Sequence, residues 1–279
     1  MQKHEGNGEW AGSRRGRGLP GLFLALVCVS CVTDAVRWDA ESPLAGEVSS
    51  DARLVFEPGR VPLLSRPWAP PNLPAGIALC AASFVAVQAR GDTAFAAWWA
   101  PRRGGSALLA VARSTDGGRV WHEAVAADST DRGRTGCARP APFLSWDAVN
   151  GYVHVAYFLV APEGPGVFVT HSMEGGTMFH APVPIVYGER PSAAAVASHG
   201  DTVVVAYEDP NASVPQLSLA LSTLAGHIFD RRVSVSSANM LATRPAVSLN
   251  GNRVAVAWLS AARGGGAGSY MLRTGTLHW

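Results

Sequence analysis

Lysine is almost missing from this sequence: Lys3 stands alone among 23 basic residues. That bias, beside abundant Ala and Gly, is compositional before it is functional. Cysteine is scarce as well, at 4 in 279 residues. No paired CxxC, HExxH or EF-hand pattern occurs, so no metal site and no cofactor is expected. The longest apolar run, Leu19 to Cys31, is shorter than the roughly 20 residues needed to span a bilayer. Beyond residue 31 the 3.6-residue periodicity of amphipathic helices is absent. What is present is 48% apolar residues, Gly 30 and Pro 19, enough for a sizeable core in a fold with many turns.

Arg14, Arg15 and Arg17 precede the apolar run, the order of a secretory signal. Residues 1–31 are therefore expected to direct export. Val29-Ser30-Cys31 resembles the end of a bacterial lipobox, which implies a lipidated Cys31 and membrane contact through that anchor only. Setting residues 1–31 aside removes four of the 23 bases and two of the 21 acids, leaving 19 of each. A formally neutral domain is not expected to bind nucleic acid.

Three ladders of similar segments recur. STDGGRVW (114–121) is answered by SMEGGTMF (172–179) and STLAGHIF (222–229). Upstream lie Trp98, Tyr157, Tyr207 and Trp258 in like surroundings. Arg139-Pro140, Arg190-Pro191 and Arg244-Pro245 form the third ladder. Each unit holds four short β-like runs separated by turn residues. A repeat of about 50 residues with four strands reads as one blade of a β-propeller. The expected fold is all-β, with four visible blades starting near Leu79, Ala138, Pro191 and Pro245.

The last unit has only three strands, so an N-terminal strand is expected to complete it, with RLVF (53–56) the best candidate. The organisation expected is a signal at 1–31, a tether and proline-rich segment with the closing strand at 32–75, and the propeller at 76–279. Cys80 and Cys137 fall near the inner strands of successive blades. They form either a disulfide or two separately buried thiols.

STDGGRVW resembles the Asp-box, S-x-D-x-G-x-x-W, of sialidases and other Asp-box (BNR-repeat) propellers, with Ser114, Asp116, Gly118 and Trp121 as the matching positions. In that family the box staples the hairpin between a blade's third and fourth strands. The resemblance thus implies a structural Asp116.

The loops at the opposite end of the blades collect arginines, among them Arg139, Arg190 and Arg244, the ligand-binding candidates. Guanidinium groups converging there would hold a carboxylate. Sialidases bind the carboxylate of sialic acid with an arginine triad and use a Tyr assisted by Glu as nucleophile. Tyr207 with Glu208, and Tyr270, are the nearest catalytic candidates, although no sialidase catalytic motif surrounds them. Repetition of the Arg-Pro pair at equivalent positions instead suits a structural role.

Three functions remain open: an exported propeller binding a glycan or envelope protein without catalysis, an exo-acting glycoside hydrolase of sialidase type, and a structural envelope component. The first leads.

Overall fold

Successive side chains point to opposite faces of a strand, and in the central strands of the sheets both faces are apolar. In Thr202–Glu208, Val203, Val205 and Tyr207 point to one side while Val204 and Ala206 point to the other. A sheet with two apolar faces is stable only between two covers, which is the position of a propeller blade.

The computed structural model describes residues 34–44, 53–55, 62–66, 68–264 and 268–279. The signal segment with Cys31 lies outside the described residues. The strands before the blades are β1 (Val36–Trp38), β2 (Ser42–Pro43), β3 (Arg53–Val55) and β4 (Leu63–Ser65). Blade I consists of β5 (Val85–Gln88), β6 (Ala94–Pro101), β7 (Ala107–Ser114) and β8 (Val125–Asp128). Blade II consists of β9 (Phe143–Trp146), β10 (Val153–Ala161), β11 (Gly164–Ser172) and β12 (Val183–Tyr187). Blade III is β13 (Ala194–His199), β14 (Thr202–Glu208), β15 (Leu217–Ser222) and β16 (Arg231–Ser234), and blade IV begins with β17 (Leu241–Asn250), β18 (Arg253–Ala261) and β19 (Ser269–Leu277). All pairings are antiparallel between neighbours in order, so each blade is a four-stranded meander. The protein is an all-β propeller of four blades.

Blade IV is completed by β1, with Val36 opposite Leu277 and Trp38 opposite Gly275. The closing strand is thus VRW and not RLVF. Residues 34–44 therefore belong to the blade instead of to a tether. The reason lies in the packing. Val36 enters the core between blades III and IV, and a Cβ on Gly275 would lie 2.7 Å from Val36 Cγ1. Only glycine leaves room for that approach. Arg53–Val55 instead pairs with Leu63–Ser65 as a separate hairpin.

Buried clusters join blade I to II, II to III, and III to IV. The two remaining faces are covered by the N-terminal segment. Trp98 of blade I, fully buried, lies in a cluster with Trp68, Ile77 and Leu79. Ala255, Ala257 and Leu272 of blade IV are covered by Leu54 and Leu44. An insert of non-blade chain therefore stands where a further blade would pack. Cys80, just before β5, is bonded to Cys137 in the connector from blade I to II, with Cα atoms 5.4 Å apart.

Candidate functional site

The hairpins between third and fourth strands lie at one end of the blades, and the connectors between blades lie at the other. At the hairpin end, Ser114 Oγ donates to Asp116 Oδ1 at 2.8 Å and accepts from Gly118 N–H at 2.9 Å. Asp116 Oδ1 also accepts from the N–H groups of Val120 (2.9 Å) and Arg119 (3.0 Å). These bonds, the Val120 one foremost, hold the Asp116 carboxyl below its ordinary pKa. Trp121 Nε1 donates to Asn72 O at 2.8 Å. Every one of these contacts closes the turn or ties it to the insert.

The glycine of each turn packs on what precedes its blade. A Cβ at Gly176 would meet Phe95 of blade I, one at Gly226 would meet His154 of blade II, and one at Gly118 would meet Pro70 and Trp68. Phe95 and His154 are equivalent blade positions. The insert thus takes a preceding blade's place at this contact too.

At the connector end the three ladder arginines have different partners. Arg139 forms an ion pair with Asp131 at 2.9 Å, with both side chains buried, and its Nε donates to Gly136 O. Asp131 in turn accepts the backbone N–H groups of Ala107 and Gly133. Arg190 donates to the carbonyls of Ala212 and Asp209. Arg244 sits at a positive φ of 55° beside a register shift in β17, and its N–H donates to Glu208 Oε1 at 2.8 Å. Glu208 Oε2 accepts the N–H of Ala193, and burial raises its pKa. Tyr207 is buried in the core between blades II and III, and its phenol is pushed upward by that burial. Tyr270 lies on β19, partly buried, opposite Leu259. The structure thus brings Glu208 and Arg244 together, but through backbone groups. Glu208 also feels the charges of Arg190 and Arg244, whereas Arg139 is paired elsewhere with Asp131.

A different group of residues converges at the hairpin end between blades II and III. His154 and His171 face each other across β10 and β11 and are fully buried. His180 follows the second hairpin turn, its N–H donating to His171 O at 2.9 Å. His227 comes from the third turn. Ring centroids of His171 lie 4.6 Å from His180 and 4.4 Å from His227. His227 Nδ1 is 2.8 Å from Leu224 O; a carbonyl only accepts, so this nitrogen carries a hydrogen, which in the neutral ring leaves the lone pair on Nε2. Neither nitrogen of His171 has a hydrogen-bond partner. Burial lowers His171 to a pKa of about 3, with the neighbouring imidazoles adding to the effect, and burial lowers His154 to about 4. Both rings are neutral at physiological pH. Sequence motifs missed this cluster because its members come from two blades. The one signal available was that these histidines break the repeat.

No family model and no curated protein matches this sequence. Among solved structures, the chain is similar to the Hadza microbial sialidase Hz136, at TM-score 0.46 and 16% identity over 70% of this chain and 46% of that one. It is similar to the NanB sialidase from Streptococcus pneumoniae at TM-score 0.46 and 10% identity, over 72% and 51%. The catalytic domain of a Coprinopsis cinerea GH62 alpha-L-arabinofuranosidase matches at TM-score 0.48 and 10% identity, over 87% and 98%. The chain spans about half the length of these two sialidases. These likenesses concern the fold alone.

Proposed function

We propose that this protein is an exported, lipid-anchored binding propeller without hydrolase activity, and that its ligand is an anionic glycan met at the connector end. The observation that carries this reading is the engagement of the candidate catalytic groups. Glu208 accepts two backbone N–H groups, Tyr207 is buried in an apolar cluster, and Arg139 is neutralised by Asp131. A nucleophile needs an accessible atom and an adjacent base, and these residues supply neither.

Arg103, Arg132 and Arg134 are exposed at the same end, where forked guanidinium donors suit carboxylates or sulfates. Anchoring through Cys31 would hold such a domain at the cell envelope. The test is a glycan array probed with wild-type protein and with Arg132→Ala/Arg134→Ala, beside turnover of a fluorogenic sialoside. Binding to acidic glycans that the double substitution removes supports the proposal. Turnover by wild-type protein replaces it with the hydrolase reading, and capture of envelope proteins without glycan binding replaces it with the protein-binding one.

A further inference from the structure

We propose that His171, His180 and His227 bind one divalent transition-metal ion of the zinc type, with solvent completing its coordination. The three side chains each offer one nitrogen, and these ligand atoms all lie within 4.8 Å of one another. Tetrahedral zinc with nitrogens at 2.0–2.1 Å spaces its ligand atoms roughly 3.4 Å apart. His171 is held on β11, whereas His180 follows one turn, His227 stands on the next, and both reach solvent. Modest rotation of those two side chains closes the remaining gap.

The unpartnered state of His171 points the same way. A buried imidazole with both nitrogens unsatisfied is costly, and coordination satisfies one of them. The Nδ1–H of His227 donating to Leu224 O is the outer contact that orients a metal-ligating histidine and presents its other nitrogen. His154, stacked on His171 with centroids 5.6 Å apart, supports the buried ligand from behind.

A scaffolding role would be expected to recur around the ring; His180 has a counterpart in His122 of blade I, but the trio does not recur. At the position of His171, blade I carries Arg113 and blade III carries Leu221. At the position of His227, the first turn carries Arg119 and the second Thr177. Only the junction of blades II and III assembles three imidazoles among the described residues. Imidazole suits zinc, copper and nickel.

The experiment uses untagged protein stripped with EDTA and titrated calorimetrically with zinc, with cobalt(II) absorption as the report of coordination. Wild-type protein is expected to bind one equivalent, and cobalt to show the intense visible bands of a tetrahedral site. His180→Ala and His227→Ala, both at solvent-facing positions, are each expected to weaken zinc binding on the order of 100-fold, and His122→Ala to leave it unchanged. No zinc binding by folded wild-type protein would overturn the proposal. So would zinc binding that both substitutions leave intact.

Discussion

Arg139 lies between Asp131, 2.9 Å away, and the ring of Trp99, with its guanidinium carbon 4.9 Å from the centroid. The pair is buried and bonds the connector between blades I and II to both of them, since Asp131 accepts from Ala107 and Val160. Removing one partner leaves a buried charge uncompensated. Arg139→Ala is therefore expected to destabilise the fold by roughly 3–5 kcal/mol, read as a lower urea midpoint. Arg139→Lys keeps the charge but loses the stacked plane and the fork, and should recover only part. A ligand clamp would instead show reduced affinity at unchanged stability.

Asp116 makes acid stability depend on its turn. Its folded pKa is held below the ordinary aspartate value by the Val120 N–H and the Ser114 hydroxyl. The folded state releases the proton more readily, so this stabilisation is complete above the unfolded pKa and disappears as pH falls through the folded one. Asp116→Ala should differ from wild type at neutral pH and converge on it in strong acid. Denaturation midpoints measured across that range check the convergence.

Tyr207→Phe tests the hydrolase reading from the other side. The phenol is raised above its ordinary pKa of 10.0 by burial and stays protonated at neutral pH. Its removal is expected to cost about 1 kcal/mol of stability and to leave glycan binding unchanged on an array. Glu208→Ala leaves the N–H groups of Ala193 and Arg244 without their acceptor, at roughly 2 kcal/mol.

Ring closure depends on the N-terminal segment. Deleting residues 34–44 removes β1 and β2 and exposes the edge of β19, an unpaired template for other chains. Light scattering should then show self-association. Trp68→Ala opens the cover over Trp98 and should cost roughly 3 kcal/mol.

The blades were legible because their signal is local and repeated: alternating apolar residues, turn glycines and a period near 50 residues all mark the same segments. The closing strand was not. RLVF is the more apolar choice, yet VRW closes the blade because Gly275 opposite it admits Val36 and Trp38. That is a pairwise property invisible in either segment alone. The arginines are legible as a group, but their partners are the carboxylates of Asp131 and Glu208 and the backbone carbonyls of Gly136, Asp209 and Ala212, which sequence cannot assign. The histidine cluster is hidden in the sequence for a related reason. His180 and His227 are 47 positions apart, and only the packing of blade II on blade III makes them neighbours.

Pairing of β1 with β19 also has a topological meaning. His278 donates its N–H to Ala35 O at 2.9 Å, so the two limits of the folded domain touch, and the chain path is in effect a loop fastened at one seam. A short linker across that seam would leave the blades' contacts intact, and new ends could be cut at the hairpin tip Gly200-Asp201, where Asp201 is exposed. Such a circular permutant should fold to the same propeller while departing from its surface at a blade tip instead of at the seam, turning the domain relative to whatever its first residue is attached to.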